Sequence, residues 1–67
     1  MYRIRELRED RDLSQAAIAR VLHTTQQQYS KIETGKADLS AEKLILLAKF
    51  YNVSCDYILG LSDDPKA

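Results

Sequence analysis

Gln26, Gln27 and Gln28 stand in a row where a short helix would begin. Three amides bring donors and acceptors but no charge, which suits neither a core nor a catalytic centre. On an exposed helix start they suit base edges in a DNA major groove, where Gln bonds adenine through two hydrogen bonds at once. At about 100° per residue, Gln26, Gln27, Ser30 and Lys31 share one arc of roughly 140°. Tyr29 and Ile32 occupy the opposite side, with Gln28 and Glu33 at its edges. A bond-forming face therefore backs onto an apolar anchor. Other chemistries find little support. His23 is the sole histidine and Cys55 the sole cysteine, with no Cys–His pair at nucleophile spacing. Metal ligands do not cluster and no glycine-rich phosphate loop exists. The acids are scattered along helix surfaces, so neither an enzyme, a metal site nor a cofactor is expected.

The elements that must position these residues are short helices with well-marked starts. Ser14, Ser40 and Ser54 each sit where a hydroxyl can accept from an orphan N–H of a first helical turn. Each is flanked by a pair at hydrophobic-staple spacing: Leu13 with Ile18, Leu39 with Leu44, Val53 with Ile58. Thr25 followed by Gln28 has capping-box spacing. The spacing predicts an all-α fold of five helices over 2–10, 15–22, 26–33, 41–51 and 55–60. Gly35 is expected to end the third in a left-handed conformation. In the second, Ile18 and Leu22 form the inner stripe, and Ala19 beside them lets the third helix approach closely.

At 67 residues the chain has room for one small core, expected over 1–61, with a flexible tail over 62–67. A domain this short buries only about 60% of its unfolded surface, so its stability margin is thin and a large cleft is not expected. One cysteine cannot form an internal disulfide, no apolar run spans a bilayer, and MYRIRELRED lacks a signal region. A cytoplasmic protein with no membrane partner is expected. Net charge is zero, but residues 1–36 carry +2 and residues 37–67 carry −2. That asymmetry permits nucleic-acid binding without demanding it.

Taken together, Leu13-Ser14-Gln15, Ile18-Ala19, Leu22, Thr24-Thr25-Gln26-Gln27, Ile32-Glu33 and Gly35-Lys36 resemble the helix-turn-helix of the phage repressor and Cro family, also called the XRE family. The likeness continues through Leu44, Leu47-Ala48, Asn52-Val53-Ser54 and Asp56-Tyr57-Ile58-Leu59, covering about residues 3–61. It implies a compact five-helix lambda-repressor-like domain with the helix-turn-helix at the second and third helices. Two positions depart from the family pattern. His23 stands where glycine is usual in the turn, a position where positive φ is tolerable for His at some cost. Tyr29 replaces an inner Ile or Val and requires its hydroxyl to reach water or a partner.

By position, the resemblance makes Gln26 and Gln27 the main base readers. Lys31 lies one turn on and is placed for a guanine or a phosphate, and Ser30 for van der Waals or water-mediated contacts. Ser14, Gln15, Thr25, Lys36 and Arg11 are expected beside phosphates, Gln15 aided by the N-terminus of its helix. Arg8 and Glu33 match a structural ion pair that pins the third helix. Tyr57, Ile58, Leu59 and Leu61 cannot all point inward from one or two turns, and the family dimerises near the last helix. Cys55, Tyr57 and Leu61 are therefore expected at a homodimer interface, while Leu46 and Phe50 either add to it or are covered by neighbours. The function implied is a sequence-specific transcriptional regulator, a repressor binding a near-palindromic double-stranded operator. The alternative is an antitoxin-type module that uses the same fold on a protein partner.

Overall fold

Four of the five helices begin on a short-range cap written into the chain, and all five end on a left-handed turn. The computed structural model describes residues 2–66. The helices are α1 (Ile4–Asp10), α2 (Gln15–Val21), α3 (Gln26–Glu33), α4 (Ala41–Tyr51) and α5 (Cys55–Leu59). All four expected caps are made. Ser14 Oγ accepts from the Ala17 N–H at 3.1 Å, Thr25 Oγ1 from Gln28 at 3.1 Å, Ser40 Oγ from Lys43 at 3.2 Å and Ser54 Oγ from Tyr57 at 3.0 Å. Each such cap contributes about 1 kcal/mol. At Thr25 the cap comes from the hydroxyl alone. The α1 start is two residues later than the spacing predicts. Arg3 supplies no side-chain cap, and its N–H is drawn instead to Ile58 O of α5 at 2.8 Å.

The helix ends follow one pattern, only part of which is visible in the glycines. After each helix one residue turns left-handed, and the next N–H reaches back five residues to a carbonyl of the last turn. The turning residues are Asp12 (φ 54°), His23 (φ 55°), Gly35 (φ 80°), Asn52 (φ 57°) and Gly60 (φ 79°). The closing bonds run from Leu13 to Arg8, Thr24 to Ala19, Lys36 to Lys31, Val53 to Ala48 and Leu61 to Asp56, at 2.8–3.1 Å. His23 thus performs glycine's role with a side chain attached. A left-handed residue costs about 1–2 kcal/mol when it carries a Cβ, against roughly 0.5–1 kcal/mol of extra chain entropy for glycine. His23→Gly should therefore gain about 0.5–1 kcal/mol, read as a higher urea midpoint at unchanged slope. A lower midpoint would mean that the exposed imidazole holds the turn by contacts of its own.

One core receives residues from every helix: Ile4 and Leu7, Ile18 and Ala19 with Leu22, Tyr29 and Ile32, Leu47 and Tyr51, and Ile58. The radius of gyration, 10.8 Å, is that of a fully collapsed chain of this length. Leu46 packs against this core, whereas Phe50 is exposed and meets Tyr51 edge-on at 5.1 Å. Among the described residues no helix is long and apolar enough to cross a membrane.

Residues of the expected tail make contacts with the folded body. Pro65 O accepts the Ser54 N–H at 2.6 Å, and Lys66 Nζ donates to Asn52 O at 2.7 Å. Arg3 gathers the other contacts. Its Nη2 meets Asp63 at 2.9 Å, its Nε donates to Tyr57 O at 2.9 Å, and its guanidinium lies 4.6 Å over the Tyr57 ring. Residues Ser62–Lys66 thus cover open backbone groups at the α4–α5 corner; Ala67 lies outside the described residues.

Candidate nucleic-acid interface

The start of α3 faces solvent because Thr25 caps it in an extended conformation while Tyr29 and Ile32, fully buried, hold its far side in the core. The outer arc is where the glutamine spacing places it. Gln26, Gln27 and Lys31 are exposed and Ser30 is half-buried. With Gln15 from the start of α2 they line an open concavity of about 570 Å³. Amide, hydroxyl and ammonium groups so arranged offer neutral donors and acceptors beside one positive charge, the pattern that base edges next to phosphates require.

Behind this face lies a polar junction. Arg8 grips Glu33 by two bonds, Nε to Oε2 at 2.6 Å and Nη2 to Oε1 at 3.3 Å, and its Nη1 donates to Leu13 O at 2.8 Å. Gln15 Nε2 donates to Glu33 Oε1 at 3.3 Å. The Glu33 side chain is 2% exposed and that of Arg8 13%. Burial alone would raise the Glu33 pKa, but bonds from Arg8 and Gln15 and the Arg8 charge outweigh it, so the carboxyl stays below its usual range. The same bond to Glu33 raises Arg8 further. One carboxylate therefore joins α1, α2 and α3, fixing how the outer arc of α3 stands relative to Gln15.

Tyr29 departs from the sequence expectation. Its hydroxyl reaches neither water nor a well-formed partner, and the Tyr51 hydroxyl is likewise buried and unpaired. The Tyr29 hydroxyl lies close to the Glu33 carboxylate but outside hydrogen-bond geometry. Burial pushes the Tyr29 pKa well up and that of Tyr51 to about 12, so both stay neutral. Both rings sit in the common core, at the cost of two hydroxyls removed from water.

The remaining expected contacts divide. The Ser14 and Thr25 hydroxyls accept cap bonds and sit at the exposed starts of α2 and α3. Lys36 is exposed just past α3. Arg11 is exposed but also makes contacts within the fold. Its Nη2 donates to Tyr51 O at 2.8 Å and its guanidinium lies 5.3 Å over the Tyr51 ring, so it closes the end of α4. Of the three expected interface residues, Leu61 is 75% exposed, while Cys55 is half-buried and Tyr57 half-buried beneath Arg3. Ile45 and Phe50 are further exposed apolar side chains, and Ile45 carried no periodic signal that marked it. Nor was the Gln15–Glu33 bond legible, since it joins residues 18 positions apart.

Comparison with known proteins agrees with this geometry. A family described as helix-turn-helix matches residues 4–58. The chain is 38% identical over 63 residues to YobD, an uncharacterized HTH-type transcriptional regulator of Bacillus subtilis (strain 168). That alignment covers 94% of this chain and 56% of the relative, so the chain spans little more than half of the relative's length. No solved structure matches. With the five-helix order, the capped α2–turn–α3 unit and a match across nearly all of its folded length, the chain belongs to the helix-turn-helix family of the XRE type.

Proposed function

We propose that this chain is the sequence-specific DNA-binding domain of a transcriptional regulator, acting as a repressor that occupies its operator as a homodimer. The observation that carries this is the exposed arc of Gln26, Gln27, Ser30 and Lys31, which shares one concavity with Gln15 and is held from behind by Glu33. In this assignment α3 enters the major groove, Gln26 and Gln27 read base edges, and Lys31 and Ser30 add contacts along the same arc. Ser14, Gln15, Thr25 and Lys36 position the domain on phosphates. Arg11 contributes there only with the part of its guanidinium not bound to Tyr51. Two copies related by two-fold symmetry present their recognition helices roughly 34–36 Å apart, which calls for a near-palindromic site. Leu61, Cys55 and Tyr57 supply the contact between copies.

The test is selection of bound duplexes from a random library at near-physiological salt. The expected product is a pair of inverted half-sites about 10–10.5 base pairs apart. Enrichment of no motif would refute sequence-specific binding. A second assignment, an antitoxin-type module that acts on a protein partner, is favoured by the exposed Ile45, Phe50 and Leu61. Salt separates the two. Binding through phosphates weakens by about 0.9 log unit per log unit of salt for each phosphate neutralised, whereas an apolar protein interface lacks that dependence.

A further inference from the structure

A second concavity, of about 410 Å³, adjoins the recognition groove. It is lined by Tyr2, Arg5, Arg8, Gln15, Glu33 and Thr34. Gln15 lines both hollows and so forms the ridge between them. The two arginines in it are not equivalent. Arg8 spends its charge on Glu33 and one Nη1 proton on Leu13 O, which leaves two N–H groups unassigned. Arg5 has one partner, Glu9, reached by Nε alone at 3.5 Å, and both side chains of that pair are more than half exposed. So loose a surface pair holds little of the arginine's binding capacity. Both Nη groups of Arg5 remain available, and a planar donor fork of this kind matches a phosphate.

We propose that this concavity is a phosphate site for the DNA backbone flanking the bases that α3 reads, with Arg5 as its principal contact. It rests on the DNA-binding function proposed above. A backbone that passes the Gln15 ridge leaves the recognition groove directly into the second hollow. There the Arg5 fork meets the phosphate from one side, and the second amide proton of Gln15 meets it from the ridge. Glu33 does not oppose the anion, because its charge is matched by Arg8. A phosphate contact carries no base information, so Arg5 sets affinity and register rather than sequence choice.

The experiment measures binding of the full chain to a random-sequence duplex of 20 base pairs across a salt series. Arg5→Gln should flatten the slope of log affinity against log salt by about 0.9, the release of one phosphate's counterions. Arg5→Lys should restore most of it. Lys49→Gln removes the same charge from α4, which lines neither concavity, and should leave the slope unchanged. Thermal unfolding of all three variants should match the parent, since both positions are exposed. A parent-like slope for Arg5→Gln, or an equal change for Lys49→Gln, overturns the site while leaving the DNA-binding function standing. Absence of any salt-dependent duplex binding by the parent chain overturns both.

Discussion

Arg8→Ala is expected to lose about 3–5 kcal/mol of folding stability, because it strands the Glu33 carboxylate in a place that solvent does not reach. For a domain of this size that approaches the whole margin. Glu33→Gln should cost less, because it leaves no stranded carboxylate and Arg8 retains more contact with solvent. The signature that separates this ion pair from simple packing is its pH dependence. In the parent, the Glu33 pKa is held below its unfolded value of about 4.3. The stability it contributes is therefore fully present above about pH 4.3 and is lost as pH falls through the lower folded value. Without Arg8, burial dominates and raises the same carboxyl above its unfolded value. The variant then loses stability as pH rises through that range. The gap between parent and Arg8→Ala should be widest near neutrality and should close on acidification, as read by urea unfolding at several pH values. A gap that does not change with pH would assign the loss to packing of the arginine stem.

Gln26→Ala and Gln27→Ala are expected each to lose about 1–3 kcal/mol of discrimination at one base pair, equivalent to roughly 5- to 150-fold in relative affinity. Both side chains are exposed on the first turn of α3, so neither substitution removes a core contact or the Thr25 cap. Folding stability should remain within the range of ordinary surface changes, about 0.5 kcal/mol. The measurement compares each variant with the parent on the selected operator and on single-base variants of it. Loss confined to one position per half-site identifies a base reader. A uniform loss at every position would make the residue a backbone contact instead. If both variants rank every operator as the parent does, readout lies elsewhere on the domain.

These two results are linked through Gln15. Its amide is held by Glu33, and Glu33 by Arg8, so the side chain beside Gln26 and Gln27 is set by a residue of α1. A partial loss of that junction should move Gln15 before it moves Gln26, which points directly into solvent. The hydroxyls of Tyr29 and Tyr51 are buried in the same core without a hydrogen-bond partner.

What could be known from the order of residues was local. A serine or threonine hydroxyl reaches an N–H three residues on, so Ser14, Thr25, Ser40 and Ser54 announced four helix starts, and all four caps are made. The 100° step divided α3 into the face that is now buried and the face that is now exposed. Gly35 was legible as a left-handed stop because it lacks a Cβ. Asp12 and Asn52 make the same turn but carry side chains common in many other settings, and so gave no sign of it. Folding settled matters that depend on residues far apart in the chain. Arg11, read as a phosphate neighbour, lies on Tyr51, 40 residues away, and Arg3 joins the first turn of the fold to Asp63. A long cation has many partners within reach of its flexible stem, and sequence spacing does not rank them. Only the packed arrangement of α1, α4 and α5 brings one carbonyl, one ring or one carboxylate to the right distance, and that choice drew Arg11 onto Tyr51 while Arg5 kept only its loose surface pair with Glu9.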